Sequence, residues 1–238
     1  MLNHLRTIDR RRALALGIIL MSIVVFSAGV IGILAAVNSG GADLPHQGSI
    51  EDIVATPSGQ PTPGEVPRGP APVRLMIPAL YIDAPVISKS LGPDGLPTVP
   101  ERPDQIAWYD FSATPGLKGN AVFSGHVDWQ TADRVPIPGV FYRLREMKIG
   151  DVIEVTLEDG STLKYRVTGN VATPYDDPNV VKVMNPLDRD VITVITCGSA
   201  WIRNGRQANG GNYSHRVIVR AERIVGGAGG DSASAAGS

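Results

Sequence analysis

The chain begins with its most hydrophobic segment. Residues 13–37 carry no charged side chain and are apolar on every helical face, and about 20 such residues are enough to cross a bilayer as a helix. The segment is longer than the roughly 7 to 15 apolar residues of a cleaved signal peptide. We therefore expect a single transmembrane helix. Four arginines in residues 1–12 predict a cytoplasmic N-terminus and an exported remainder.

Two segments contain too few apolar residues to form a core. Residues 38–72 are rich in Gly, Pro, Ser and Thr, which predicts an extended, partly polyproline spacer outside the membrane. Residues 226–238 are Gly, Ala and Ser with one Asp, which predicts a disordered tail. About 150 residues, 73–225, remain for one folded domain.

Inside that domain the apolar residues occur in short runs typical of β-strands. The runs are 73–77, 84–87, 121–124, 152–157, 163–167, 191–196 and 216–223. Glu158-Asp159-Gly160, between two of the runs, is a hairpin signal. Only residues 140–147 have a helical pattern, and prolines interrupt the intervals. The pattern predicts a mainly β domain, a closed or nearly closed barrel with a few short helices.

Composition excludes one class of partner and draws attention to one residue. The formal net charge is -1, so nothing indicates a nucleic-acid partner. Cys197 is the single cysteine, and it directly follows the run 191–196 and precedes Gly198. This placement fits a nucleophile at a strand end. It also fits an inert thiol, because free cysteines are often buried as small hydrophobes.

A cysteine nucleophile needs help, since an unassisted thiol with a pKa of about 8.5 is mostly protonated at neutral pH. Two of the histidines, His4 and His46, fall in the predicted cytoplasmic tip and spacer. The other two, His126 and His215, are in the folded domain. His126 comes just after a predicted strand, which is also the placement of Cys197.

Alternation along the last predicted strand separates His215 from Arg216. His215 shares a face with Val217 and Val219, and this apolar face should be the core face. We therefore expect His215 to be a satisfied residue at the rim of the core. Arg216 would face outward, toward any groove bordered by the strand that bears Cys197.

Three motifs in this order resemble the signatures of the sortase family. They are Ser124-Gly125-His126-Val127-Asp128, Thr193-Val194-Ile195-Thr196-Cys197 and Arg216-Val217-Ile218-Val219. The second is usually Thr-Leu-X-Thr-Cys in sortases, and this chain departs from it only by Val194. The similarity extends from residue 73 to about 224 and is greatest to the class E and class F sortases of actinobacteria. It implies a closed β-barrel of about eight strands.

The resemblance also implies a role for each motif. Cys197 would be the nucleophile, His126 the general acid and base, and Arg216 the cation that positions the substrate carbonyl and stabilises the oxyanion. The substrate would be an LPXTG-like C-terminal sorting signal, cleaved between Thr and Gly. The acceptor would be the amine of a peptidoglycan precursor or a pilin lysine. No cofactor is implied, and the catalytic domain would lie outside the cell membrane of a Gram-positive-type envelope.

Three further residues are candidates for substrate contact. Thr193 shares a strand face with Cys197. Thr196 points the other way, so it could contact substrate only through its backbone, and plain β-propensity explains it equally well. Trp201, in the connection after Cys197, fits either the lining of a peptide groove or a packing anchor.

Other interpretations of the same residues are a metal site and two different function classes. Asp128 lies two residues after His126, but no further ligand falls at metal spacing, so no metal is expected. A noncatalytic surface β-domain that binds wall polymer or a protein partner is an alternative, although it needs no thiol and imidazole at strand ends. A wall transpeptidase of the Ser-X-Gly-Cys type is disfavoured, because Ile195 and Thr196 occupy positions where that motif needs other residues.

Overall fold

A computed structural model describes residues 46–54, 68–133, 135–202 and 211–225. The described chain is mainly β, with two short α-helices, α1 (Ile50–Val54) and α2 (Asn179–Lys182), and 3-10 turns at Pro78–Leu80 and Leu144–Glu146. The strands are β1 (His46–Gln47), β2 (Pro72–Ile77), β3 (Ile82–Lys89), β4 (Ile106–Tyr109), β5 (Gly119–Gly125), β6 (Asp128–Gln130), β7 (Pro136–Pro138), β8 (Val152–Leu157), β9 (Thr162–Pro174), β10 (Asp190–Ile202) and β11 (Asn212–Arg223).

Eight of the strands close into a barrel. Their order is β9-β11-β10-β5-β4-β3-β2-β8, and β8 pairs with β9 to close the ring. The β5–β10 and β3–β4 pairs are parallel and the other pairs of the ring are antiparallel. β1 adds to one end of β9, and β6 pairs with β7 in a separate two-stranded sheet. The predicted closed barrel of about eight strands is confirmed.

All seven predicted strands are present, and several are longer than their apolar runs. The predicted hairpin is also confirmed, because β8 and β9 are antiparallel neighbours joined through Gly160, which has a φ of 83°. β9 and β10 each have 13 residues. Both extend into polar sequence, because backbone pairing with their neighbours continues where the side chains no longer alternate in polarity.

The strand that carries Cys197 is buried on both faces. Ile192 and Val194 belong to the barrel interior, together with Phe123 and Val217. The outward residue Ile195 belongs to a second apolar cluster, whose other buried members are Ile50, Ile53, Ala107, Tyr109, Val122, Val171, Val183 and Ile218. Burial on both sides explains why 191–196 is almost continuously apolar and does not alternate.

The helix predicted over 140–147 is wrong. Residues 140–143 form turns, and only Leu144–Glu146 is helical, as a single 3-10 turn. Phe141, Leu144 and Met147 are 0%, 0% and 1% exposed. A spacing of three residues matches the period of a 3-10 helix, so burial of these three side chains stabilises the tighter turn.

Part of the predicted spacer packs on the barrel. β1 pairs with β9 through His46–Val171 and Gln47–Asn170. Ile50 and Ile53 of α1 are 7% and 8% exposed and join the outer apolar cluster. Within residues 46–54 the chain therefore follows the surface of the folded domain.

The predicted cytoplasmic segment 1–12, membrane span 13–37 and tail 226–238 lie outside the described residues. Among the residues that the structure does describe, none of the helices has the length and apolar character needed to cross a bilayer.

Candidate active site

The barrel brings the three signature residues to one of its ends. Cys197 of β10 lies opposite Arg216 of β11 in the antiparallel ladder. β5 runs parallel to β10, with Ser124 opposite Ile195, and His126 follows the last residue of β5. Two parallel strands finish at the same edge, and the antiparallel third strand starts there. Residues far apart in sequence therefore meet at one site.

A side-chain hydrogen bond fixes the spacing between the nucleophile strand and the histidine strand. The Thr196 hydroxyl donates to the Gly125 carbonyl oxygen at 2.8 Å. Thr196 immediately precedes Cys197, and Gly125 immediately precedes His126. The bond therefore connects the two backbones at the residues next to the candidate catalytic pair.

The His126 ring is held by a backbone acceptor and an aromatic neighbour. Its Nε2 lies 2.8 Å from the Pro100 carbonyl oxygen. A carbonyl only accepts, so Nε2 carries the hydrogen, and in the neutral ring Nδ1 is left as the acceptor. Trp129 packs edge-on against the ring with 4.8 Å between centroids. The nitrogen available for proton transfer is therefore Nδ1.

The backbone of His126 is supported by a close approach of Gly139. The Phe141 amide donates to the His126 carbonyl oxygen at 2.9 Å, and the Gly139 amide donates to the Val127 carbonyl at 3.0 Å. A Cβ at Gly139 would lie 2.4 Å from the His126 oxygen. Only glycine fits at that position without displacement of the histidine.

Hydrogen bonds hold the Arg216 guanidinium in place and leave some of its N–H donors unused. Its Nη1 donates to the backbone oxygens of Tyr213 at 3.3 Å and His215 at 3.0 Å, and its Nη2 donates to Asn212 Oδ1 at 3.0 Å. The guanidinium lies over the Tyr175 ring, 5.8 Å from its centroid. A guanidinium has five N–H groups, so within the described structure two of them have no hydrogen-bond partner.

The Cys197 thiol is partly buried, and burial raises its pKa. The positive charge of Arg216 opposes this effect, and the negative charge of Asp128 adds to it. Across the described residues, no hydrogen bond reaches the sulfur. Burial therefore favours the neutral thiol, so a nucleophilic reaction requires a base to take its proton.

A pair of hydroxyl groups lies within electrostatic range of the thiol, and of the two residues only Ser124 belongs to a motif found in the sequence. The Tyr109 hydroxyl and Ser124 Oγ are 2.7 Å apart. Burial raises the pKa of Tyr109, and a charge on Cys197 raises it further. Tyr109 is in β4, which the strand prediction did not include.

The three predicted substrate-contact residues lie in three different environments. Thr193 is fully buried, and its hydroxyl donates to Asn120 Oδ1 at 2.6 Å, so its side chain is not available to a peptide and the predicted contact has no support. Thr196 is 4% exposed, with its hydroxyl engaged as described above. Trp201 is 47% exposed and packs edge-on against Tyr213. This position allows contact with a peptide, and the predicted contact stays a prediction.

His215 does not share the face of the nucleophile. It lies opposite Gly198 in the ladder, one position from Arg216, so its side chain leaves the sheet on the other side. Its Nδ1 is 2.9 Å from Ser214 Oγ. His126 is therefore the candidate base in the described part of the chain. No group of three or more potential metal ligands was found among the described residues.

A comparison with protein families identifies the domain that forms the barrel. A sortase-domain family model matches residues 75–224, which is more than half of the chain. The chain belongs to the sortase family, whose members are generally cysteine transpeptidases. A search of curated proteins found no significant match.

Solved structures of several sortases are similar to this chain. A lid mutant of sortase A from Corynebacterium diphtheriae is 25% identical with a TM-score of 0.47, covering 70% of this chain and 75% of that one. A sortase D5 transpeptidase from Clostridium perfringens is 22% identical with a TM-score of 0.45, covering 68% and 83%. Sortase C-1 from Actinomyces oris is 24% identical with a TM-score of 0.45, covering 65% and 73%. The similarity to class E and class F stays a prediction.

Proposed function

We propose that this chain is a membrane-anchored transpeptidase that cleaves an LPXTG-like sorting signal between Thr and Gly and transfers the acyl part to an amine. The observation that carries the proposal is the meeting of Cys197, His126 and Arg216 at one barrel end. Membership in the sortase family supports the reaction class, and the residue geometry supports the role given to each side chain.

In the first half-reaction the Cys197 sulfur attacks the threonine carbonyl carbon. A C–S bond forms, the C–N bond to glycine breaks, and the product is a thioester with a free glycine amine. His126 Nδ1 takes the thiol proton and delivers a proton to the departing nitrogen. The hydrogen bond from Nε2 to the Pro100 carbonyl supports this role, because it orients the ring and leaves Nδ1 free.

In the second half-reaction an acceptor amine attacks the thioester carbonyl. A C–N bond forms, the C–S bond breaks, and the amine proton passes through His126 back to the sulfur. The covalent intermediate divides one difficult amide exchange into two acyl transfers. A peptidoglycan cross-bridge amine or a pilin lysine is the proposed acceptor.

Arg216 is proposed to bind the substrate carbonyl oxygen and stabilise the oxyanion. Its hydrogen bonds to Asn212 Oδ1 and to two backbone oxygens hold the guanidinium in place before substrate arrives, and pre-organised donors are the ones that favour a transition state. Removal of a donor of this kind costs about 3 to 4 kcal/mol in other enzymes.

The cellular setting of the proposal comes from the sequence outside the barrel. Residues 1–12 would lie in the cytoplasm, 13–37 would span the membrane once, and the spacer would hold the catalytic domain on the outer side of a Gram-positive-type envelope. A sorting signal at the C-terminus of an exported, membrane-retained protein would reach the site in that position.

The test is peptide cleavage in the presence of hydroxylamine, which captures the acyl group as a threonyl hydroxamate. The full-length chain in detergent is incubated with a panel of Leu-Pro-X-Thr-Gly peptides, and products are identified by mass spectrometry. We expect hydroxamate from the wild type, none from Cys197→Ala, and at least a hundredfold less from His126→Gln. His215→Gln is the matched control and should stay within about threefold of wild type. Full activity in Cys197→Ala would refute the proposal.

A further inference from the structure

One hydrogen bond crosses over the strand that carries the nucleophile. The Tyr213 hydroxyl donates to Asp128 Oδ2. Asp128 begins β6, two residues after His126, and Tyr213 lies near the start of β11, three residues before Arg216. β5 and β11 are not neighbours, because β10 lies between them in the barrel. The bond therefore joins the histidine side of the site to the arginine side.

The bond also lies within electrostatic range of the thiol. Burial raises the pKa of Cys197, and the negative charge of Asp128 raises it further. Burial is also the largest cause of the raised pKa of Tyr213, to which Cys197 contributes. Asp128 and Tyr213 are both half-buried. In the described structure no other hydrogen bond reaches the Asp128 carboxylate or the Tyr213 hydroxyl. The two groups therefore serve each other as partners.

The two ends of the bond differ in how firmly they are held. Tyr213 is part of the barrel, accepts a hydrogen bond from Arg216 at its backbone oxygen, and packs edge-on against Trp201 with 5.1 Å between centroids. Asp128 belongs to the small β6–β7 sheet, which has three residue pairs and lies outside the barrel ladder. Through this bond the barrel adds a side-chain restraint to the segment that carries His126, beside the backbone hydrogen bonds from Phe141 and Gly139.

We propose that the Asp128–Tyr213 hydrogen bond holds His126 in position against Cys197, so that Asp128 and Tyr213 are positioning residues of the reaction. The inference rests on the proposed function, in which His126 takes the thiol proton. Neither residue needs to touch the substrate for this role. From sequence, Asp128 is the last residue of the first motif and a rejected metal ligand, and no pattern indicates a role for Tyr213.

The test measures how strongly His126 assists the thiol with and without the bond. Cys197 is the only cysteine of the chain, so iodoacetamide incorporation into the full-length protein at pH 7 reports on it alone. We expect His126→Gln to slow alkylation roughly tenfold in the wild-type background. In the Tyr213→Phe background, which keeps the ring against Trp201, the same change should have less than about a twofold effect.

Two variants of Asp128 separate positioning from charge. Asp128→Asn retains an acceptor oxygen for the Tyr213 hydroxyl, and Asp128→Ala does not. The ratio of the alkylation rates with and without His126→Gln, called the His126→Gln factor, should stay near tenfold in the Asp128→Asn background. It should fall below about twofold in the Asp128→Ala background. Each factor is a ratio within one background, so the altered charge near Cys197 cancels. Tyr142→Phe removes a hydroxyl from an exposed tyrosine, 46% accessible, and should leave the factor unchanged.

The outcomes distinguish the inference from the function on which it rests. An equal His126→Gln factor in the wild-type, Tyr213→Phe and Asp128→Ala backgrounds would overturn the positioning role while leaving the proposed chemistry intact. No effect of His126→Gln in the wild type would instead overturn the proposed partnership of His126 and Cys197. Circular dichroism of each variant confirms folding, and the Asp128 variants decide the matter if Tyr213→Phe does not fold.

Discussion

Two threonines of the nucleophile strand provide a matched pair of substitutions. Thr196 donates its hydroxyl to the Gly125 oxygen at 2.8 Å, and Thr193 donates to Asn120 Oδ1 at 2.6 Å. Both are at most 4% exposed. Valine has the same shape without the hydroxyl, so Thr196→Val and Thr193→Val each delete one buried hydrogen bond. Only the first deletes a bond adjacent to both His126 and Cys197.

The expected magnitudes follow from these contacts. A buried hydrogen bond contributes about 1 kcal/mol net, and an acceptor left unpaired in the interior costs about 1 to 3 kcal/mol. We therefore expect each variant to lose about 1 to 2 kcal/mol of unfolding free energy, or roughly 2 to 8 °C in the midpoint of thermal unfolding. Misplacement of the His126 backbone relative to the thiol should lower kcat/KM of Thr196→Val by about tenfold, which corresponds to roughly 1.4 kcal/mol.

The assay combines thermal unfolding with hydroxamate formation on the same preparations. Both variants should unfold at similar, lower temperatures, and Thr193→Val should keep kcat/KM within about twofold of wild type. A normal kcat/KM in Thr196→Val would refute the argument that this bond sets the spacing of the catalytic pair. An equal loss in both variants would mean that general destabilisation, and not spacing, controls activity.

Three further predictions concern separate features of the site and core. Gly139→Ala should reduce kcat/KM by at least tenfold, because its Cβ would lie 2.4 Å from the His126 oxygen; unchanged kinetics would show that the loop adapts. The pH midpoint of Cys197 alkylation should lie above that of an ordinary thiol, because burial raises the pKa of Cys197. Arg216→Met should raise this midpoint further, because it removes the positive charge that opposes the effect of burial. A lower midpoint in Arg216→Met would contradict the placement of Arg216 beside the thiol. Burial lowers the pKa of Arg220 to about 10, and within the described structure its Nη2 donates to the Val183 oxygen at 3.0 Å while Nε and Nη1 have no hydrogen-bond partner. We therefore expect Arg220→Met to raise the unfolding free energy by about 1 to 2 kcal/mol in denaturant titrations. A loss of unfolding free energy would contradict the argument that this buried guanidinium destabilises the fold.

The strands could be predicted from sequence where one face of the barrel is apolar and the chain alternates. β8 matches its predicted bounds, Val152–Leu157. β4 was missed: its residues 106–109, like 191–196, are buried on both faces and do not alternate, but the run is shorter and lacks the continuous β-branched composition that indicated β10. The short strands β6 and β7 have three residues each, with prolines at both ends of β7. No apolar pattern of useful length exists there, and tertiary contacts define the pairing.

The candidate site could be predicted in its residue types but not in its contacts. Strand-end positions and the order of the motifs singled out Cys197, His126 and Arg216, which the ladder registers bring to one end of the barrel. The partners of these residues come from distant segments. The Pro100 oxygen and the Tyr213 hydroxyl have no local sequence signal, because their roles depend on loops that meet only in the folded barrel.

The measurement closest to the central claim is detection of the acyl-enzyme. The full-length chain is mixed with a Leu-Pro-X-Thr-Gly peptide without an acceptor amine, quenched in acid, and analysed by intact mass and proteolytic mapping. Thioester formation replaces the thiol hydrogen by the peptide acyl group ending in Thr, so we expect that mass increase on the fragment containing Cys197. The released product that begins with glycine should form in at least equal amount, because water slowly hydrolyses the thioester. An adduct on another residue, or the same cleavage in Cys197→Ala without an adduct, would contradict the account.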